Sequence, residues 1–200
     1  MVNKSNLPEK LEQAIEHLVR SADNDARWML GGSCGLALQD VCIGREPRDI
    51  DIYADQADAK LLHSNWLQWS VDEPKWDETE RYLSLLSHYK WNEATIELVG
   101  DFVVHTSLCC YETSVRKSLW QHSVEAQVGE VTIRLMPLAH ELVFNLLRER
   151  EDRVQAIAGT MNLHQVRHVA ALRAVLAHCN PQQGLQDQLL LCCPDIVKAI

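Results

Sequence analysis

Apolar residues recur at helical spacing near the amino end, where Leu11, Ile15, Leu18 and Val19 alternate with polar positions. That period predicts an amphipathic helix over roughly residues 8–21, which the polar run from Ser21 to Asp25 breaks. Arg27 to Leu30 is a short apolar run that closes on Gly31-Gly32-Ser33, after which Leu36, Leu38 and Val41 resume a helical period. The pattern reads strand, glycine turn, helix. Gly44 to Pro47 is a loop, and Asp49 to Tyr53 then alternates acid with apolar residues, as a half-buried strand does. Ala57 to Trp69 has a helical pattern, whereas Val71 to Arg81 is acidic, contains Pro74 and predicts a loop. Tyr82 to Tyr89 and Thr95 to His105 predict strands, and Val124–Val128 with Val131–Leu135 predict a hairpin closed at Gly129-Glu130. Past Pro137 the period changes: Leu138, Leu142, Leu146 and Leu147, then Val166, Val169, Leu172 and Leu176, predict helices. Strands therefore fall in the first two-thirds and helices in the last third, an α/β chain of the α+β type. A soft boundary near Pro137 divides residues 1–136 from a helical segment, 137–200.

Composition narrows the class. A chain of 200 residues can bury a core without disulfides or a structural metal, and 46% hydrophobic with 24% charged residues excludes disorder. No run approaches about 18 apolar residues, so no membrane span is expected. The polar start, Met1 to Lys10 with Pro8, does not read as a secretory signal. Seven cysteines, an odd number with no Cys-x-x-Cys spacing, predict reduced thiols and a cytoplasmic setting. The formal charge of −9 disfavours general nucleic-acid binding. It still permits a nucleotide, because a divalent cation locally reverses the sign of the field.

The candidate chemistry begins at Asp49-Ile50-Asp51. Residues i and i+2 of a strand share a face, so both carboxylates project together while Ile50 turns to the core. Oxygen ligands of this kind suit Mg²⁺ or Mn²⁺; a solvated edge strand is the plainer alternative. Gly31-Gly32-Ser33 ends a strand and opens a helix, a turn at which backbone N–H groups and the Ser33 hydroxyl can meet a phosphate. It has neither the Walker spacing nor the Rossmann fingerprint.

Taken together, "WMLGGSCGLALQ" and "GREPRDIDIYAD" resemble the nucleotidyltransferase superfamily that includes polymerase beta, the antibiotic nucleotidyltransferases and the minimal nucleotidyltransferases. The spacer of fifteen residues between Ser33 and Asp49 is slightly longer than usual for that family. The resemblance implies a mixed sheet with flanking helices and a third carboxylate on a later strand. In "ATIELVGDF" the candidates are Glu97 and Asp101. Glu97 is favoured because a mid-strand acid among apolar residues needs a partner, while Asp101, after Gly100, is expected to end the strand.

By the same resemblance, Asp49, Asp51 and Glu97 form a catalytic and metal-binding set for Mg²⁺ or Mn²⁺, with Glu97 either completing the metal site or taking a proton. Gly31, Gly32 and Ser33 bind the phosphates of a nucleoside triphosphate, most simply ATP. Arg48 either reaches a phosphate or braces the acids, and Arg45 is expected to be loop-exposed. In "PLAHELVFNLLRERED" Asn145 stands where several relatives carry a nucleotide-facing Lys, with Arg148 and Arg150 nearby; Arg150 and Asp152 read as the charged face of a helix. His164 and His168 read as a surface or structural pair on one helix, and the tryptophans as packing. The implied reaction transfers a nucleoside monophosphate to a hydroxyl of a small molecule. An antibiotic such as an aminoglycoside or lincosamide is one acceptor class, and the negative charge favours a cationic one. Two alternatives stand beside it: a toxin–antitoxin enzyme that modifies protein or tRNA, and a catalytically silent member that binds a nucleotide or a partner.

Overall fold

A computed structural model describes residues 6–180 and 183–200. The first helical period forms α1 (Glu9–Ser21), with Leu11, Ala14, Ile15 and Leu18 buried along one stripe. The strand, glycine turn and helix that follow are β1 (Trp28–Gly31) and α2 (Gly32–Ala37). Next come β2 (Ile50–Ala54), α3 (Gln56–Trp66), β3 (Lys75–Glu78), β4 (Tyr82–Trp91), β5 (Ala94–His105) and β6 (Cys110–Glu112). The hairpin is β7 (Val124–Val128) and β8 (Val131–Leu135). Beyond Pro137 lie α4 (Leu138–Leu147), α5 (Glu151–Leu163), α6 (Val166–Leu176), β9 (Cys179–Asn180), α7 (Gln183–Cys192) and α8 (Pro194–Lys198).

One mixed sheet has the order β3-β4-β5-β2-β1-β8-β7, with β6 pairing β5 and β9 pairing β6. β2 runs parallel to β5, β1 runs parallel to β8, and the remaining pairs are antiparallel. Alternation then assigns each face. Ile50, Ile52, Ile96 and Leu98 are fully buried with Leu11, Leu18 and Leu62 of α1 and α3, each contributing about 1.5–3 kcal/mol by removal from water. Tyr53, Val99 and Val104 point the other way and pack with Leu138, Leu142 and Phe144 of α4 and with the helices that follow. The helical segment beyond Pro137 thus shares a core with the sheet.

Three sequence expectations change. The segment 71–81 is not all loop, because Lys75–Glu78 pairs with β4 as an edge strand. All four of its residues are exposed, so burial on one face could not impress an alternating pattern on it. Strands also reach the last third of the chain, where β9 pairs with β6; two residues are too few to show a period. Asp101 does not end its strand. It sits inside β5 with φ +46°, at an irregularity where the pairing with β4 jumps between Leu83 and Leu85. Its carboxylate accepts the Gln56 N–H at 2.8 Å at the start of α3. The extra residue shifts the alternation, so Phe102, rather than Asp101, joins the face that carries Val99.

All seven cysteines are free, and Cys34, Cys109, Cys179 and Cys193 are buried. His164 stands at the break between α5 and α6 while His168 lies in α6, so the two do not share a continuous helix. No helix among the described residues is long and apolar enough to cross a membrane.

Candidate active site

Register places the first motif against the second. Gly31 of β1 is the partner of Asp51 on β2, and Asp51 is the partner of Glu97 on β5. One row across three strands therefore carries the glycine turn and two of the acids, and side chains in such a row share a face. Asp49, just before β2, follows the same parity. Its main-chain oxygen accepts the Cys34 thiol at 3.1 Å, which ties it to the first turn after Ser33. Asp49, Asp51, Glu97, Gly32, Ser33 and Arg48 all line one cleft of about 500 Å³. Gly31 does not line it; its part is the backbone register beneath.

Gly32 has φ +56°, a conformation that side chains disfavour. A Cβ there would fall 1.7 Å from Asp51 Oδ2, so the turn and the acid are packed as one unit. The Gly32 N–H donates to Glu141 Oε1 at 2.8 Å. That donor is already used inside the protein, which leaves Ser33 as the side chain of this turn open to the cleft. Glu141 is fully buried on α4 and was not predicted from the sequence. Asn145, also fully buried, donates from Nδ2 to the Glu141 main-chain oxygen at 2.8 Å and more distantly to Oε2 at 3.4 Å. It faces its own helix and does not line the cleft.

The acids act on one another. Burial pushes the Asp51 carboxyl up to about 6, and the charges of Asp49 and Glu97 add to the rise, while Arg153 and Arg148 oppose it. Burial likewise holds Glu141 at about 7 against the Gly32 hydrogen bond, with Asp51 adding to the upward push. Both folded-state values lie above those of an unfolded chain. The folded protein therefore keeps protons that the unfolded chain has lost between about pH 4 and 7, and stability from these groups falls as pH rises through that window. Burial holds the His140 imidazole at about 3, so its contribution to stability rises over the same window and opposes that of the two carboxyls. The Asp51 part is therefore read as a difference: the melting temperature of the metal-free wild type is expected to fall relative to that of Asp51→Asn between pH 4.5 and 7. A difference that stays constant with pH would contradict the arrangement.

Arginines face the acids. Arg148, Arg150 and Arg153 from the α4–α5 junction and Arg45 and Arg48 from the loop before β2 line the cleft. Among the described residues none of the five forms an ion pair, and the buried Nε of Arg153 has no hydrogen-bond partner. Arg150 is thus not simply on a solvated helix face, and Arg45, although exposed, belongs to the cleft. Arg148 lies 4.9 Å above the Phe144 ring and 5.7 Å from that of Tyr82. Tyr82 stacks on Phe102 at 6.0 Å, so the aromatic wall consists of Tyr53, Tyr82, Phe102 and Phe144; no tryptophan contributes. Among the described residues no three His, Cys, Asp or Glu side chains are already in reach of one metal ion. The donor set is nonetheless all hard oxygen, which fits Mg²⁺, an ion held by one or two carboxylates together with substrate phosphates rather than by a closed protein cage.

No family model matches the sequence, and no curated protein matches it. Solved structures do. A candidate nucleotidyltransferase of Thermotoga maritima superposes with a TM-score of 0.64 at 17% identity, over 82% of this chain and 100% of that one. The structure of ANT(2'')-Ia in complex with adenylyl-2''-tobramycin gives 0.51 at 8% identity, over 82% and 97%. A solution structure of the same antibiotic-resistance factor gives 0.51 at 9% identity, over 82% and 90%. At these identities the likeness is one of fold: the chain has the mixed-sheet nucleotidyltransferase fold.

Proposed function

We propose that the protein transfers a nucleoside monophosphate, AMP from ATP, to a hydroxyl of a small-molecule acceptor and releases pyrophosphate. The observation that carries this reading is one cleft in which Asp49, Asp51 and Glu97 on the sheet face unpaired arginines from α4–α5. Like-charged groups of both signs, held close and unpaired, are costly unless a polyanion and cations complete them. Asp49 and Asp51 are the residues that would hold Mg²⁺, with Glu97 beside them. When bound, that ion supplies charge stabilisation for the reacting phosphate. Arg148 and Arg153 neutralise the triphosphate, and Ser33 Oγ donates to it from the turn. Arg148 and Arg153 thereby do what Asn145, turned into its own helix, cannot.

In the transfer the acceptor oxygen bonds to the α-phosphorus as the bond from that phosphorus to the bridging oxygen breaks. The bridging oxygen leaves with the electron pair in pyrophosphate, and Glu97 takes the hydroxyl proton. The test is incubation with labelled ATP and Mg²⁺ across a small-molecule library, followed by mass spectrometry for nucleotidylated products and an assay for pyrophosphate. Products that disappear in the Asp51→Asn variant support the reading. ATP binding without pyrophosphate would replace it with that of a silent member, and label on protein or tRNA alone would replace it with the macromolecule-modifying alternative.

A further inference from the structure

Arg20, Arg81, Arg116 and Arg134 are each anchored by a carboxylate, at 2.6–3.0 Å. Arg148 is anchored differently. Among the described residues its guanidinium makes no ion pair and no hydrogen bond. Its central carbon instead lies over two rings, 4.9 Å from the centre of Phe144 and 5.7 Å from that of Tyr82, both within the roughly 6 Å at which a ring face attracts a cation. Phe144 precedes Arg148 by one helical turn, so the i, i+4 spacing brings the two together. His140, a turn earlier, stacks on the same ring at 5.7 Å and 16°. Tyr82 comes from β4. Arg81 donates to Glu149 at 2.8 Å, which docks the start of β4 on the end of α4 and engages the carboxylate next in sequence to Arg148. Phe102 supports both rings, stacked on Tyr82 at 6.0 Å and edge-on to Phe144 at 5.3 Å. It reaches them because of the bulge at Asp101.

We propose that Phe144 and Tyr82 are positioning residues for Arg148, holding its guanidinium through their ring faces so that its N–H donors stay open to a phosphate in the cleft. The identity of that phosphate rests on the nucleotidyl-transfer reading; the clamp itself can be measured without it. A carboxylate anchor occupies the donors of an arginine and neutralises its charge. A ring face does neither, because it attracts the cation through its quadrupole and leaves the donors free at the edge of the plane. Without any anchor, the long side chain would lose its rotamer freedom only on binding, at a cost in affinity. Arg134 shows the contrast. It lies 4.7 Å from the centre of the Trp120 ring but also donates to Glu125 and Ser123, so its donors are already used within the fold.

The test varies the charge on the ring face and keeps the shape of the ring. Phenylalanine carrying one, two or three fluorines replaces Phe144 in the full chain, and calorimetry measures the Kd of α,β-methylene-ATP with Mg²⁺. Kd is expected to rise stepwise, reaching about tenfold with the trifluorinated ring. In an Arg148→Gln background binding is weaker and no longer depends on fluorine number. Tyr82→Phe keeps the affinity and Tyr82→Leu lowers it. A Kd indifferent to fluorine would mean that Phe144 acts by packing alone, and a dependence that survives Arg148→Gln would mean that it does not act through Arg148; either overturns the proposal. The ligand-free protein gives a second readout, the ¹⁵N order parameter of the Arg148 Nε–H, expected to be high with phenylalanine at 144 and to fall with each fluorine. A freely rotating Arg148, or one unaffected by fluorine, equally overturns it. If the nucleotide analogue fails to bind the wild type while this ordering is seen, the clamp stands and the nucleotidyl-transfer reading fails.

Discussion

Asp51→Asn is expected to abolish the rise in melting temperature that MgATP gives the wild-type protein. A ligand at a hundredfold excess over its Kd stabilises by about 2.7 kcal/mol, equivalent to roughly 5–10 °C for a chain of this size. The variant keeps the shape of the side chain and removes one anionic ligand, so metal-dependent binding and transfer fall by about a hundredfold or more. The metal-free variant, by contrast, becomes more stable. Burial, with the charges of Asp49 and Glu97, holds the Asp51 carboxyl at about 6, and neutralising it at pH 7 relieves about 1–3 kcal/mol. The opposite signs make the experiment decisive, because a merely structural Asp51 would lose stability on substitution and leave the MgATP shift intact.

Gly32→Ala is expected to inactivate the site by a different route. An added Cβ would lie 1.7 Å from Asp51 Oδ2 and 2.7 Å from its carboxyl carbon, and φ at this position is +56°. Left-handed backbone at alanine costs about 1–2 kcal/mol, and a forced contact adds about 1–3 kcal/mol. Relieving the contact displaces the Asp51 carboxylate from its place in the cleft beside Gly32. The measurement is the same thermal shift, joined by a denaturant titration: stability falls by about 2–4 kcal/mol and the MgATP response is lost. Full stability and an undiminished response would show that the turn relaxes without disturbing the acid.

Much of this was legible in the sequence where burial imposes a period. Ile50 and Ile52 alternate with Asp49 and Asp51 because one face of β2 meets α1 and α3 and the other opens to the cleft. The hairpin at Gly129 and the glycine turn at residues 31–33 announce themselves by residue type, since few residues accept those backbones. What stayed hidden depends on tertiary neighbours. Arg153 sits in the run "RERED" plus one, whose alternating charges read as a solvated helix start, yet in the first turn of α5 it lines the same cleft as Asp51. Glu141 lies in the apolar stretch "AHELVF", and the argument that singled out Glu97, an acid among apolar neighbours, applies equally to it. Phe102 reached the cleft only through the bulge at Asp101, a one-residue change of parity that alternation cannot anticipate. The overall charge likewise gave no sign that the cleft brings together arginines from segments about a hundred residues apart in sequence, Arg45 and Arg48 with Arg148, Arg150 and Arg153.

The hydrogen bond from Gly32 to Glu141 spans 109 residues. On a ribosome adding about 5–20 residues per second, the glycine turn therefore waits roughly 5–20 s for its acceptor to be synthesised. During that interval β1 and β2 can pair, but β5, α4 and the arginines of the α4–α5 junction are still to come, so the early chain presents an acidic strand edge and an unfilled apolar face. Closure of the cleft is consequently a late event of biogenesis, and a nascent chain arrested before α4 is expected to be a chaperone client rather than a partially active enzyme.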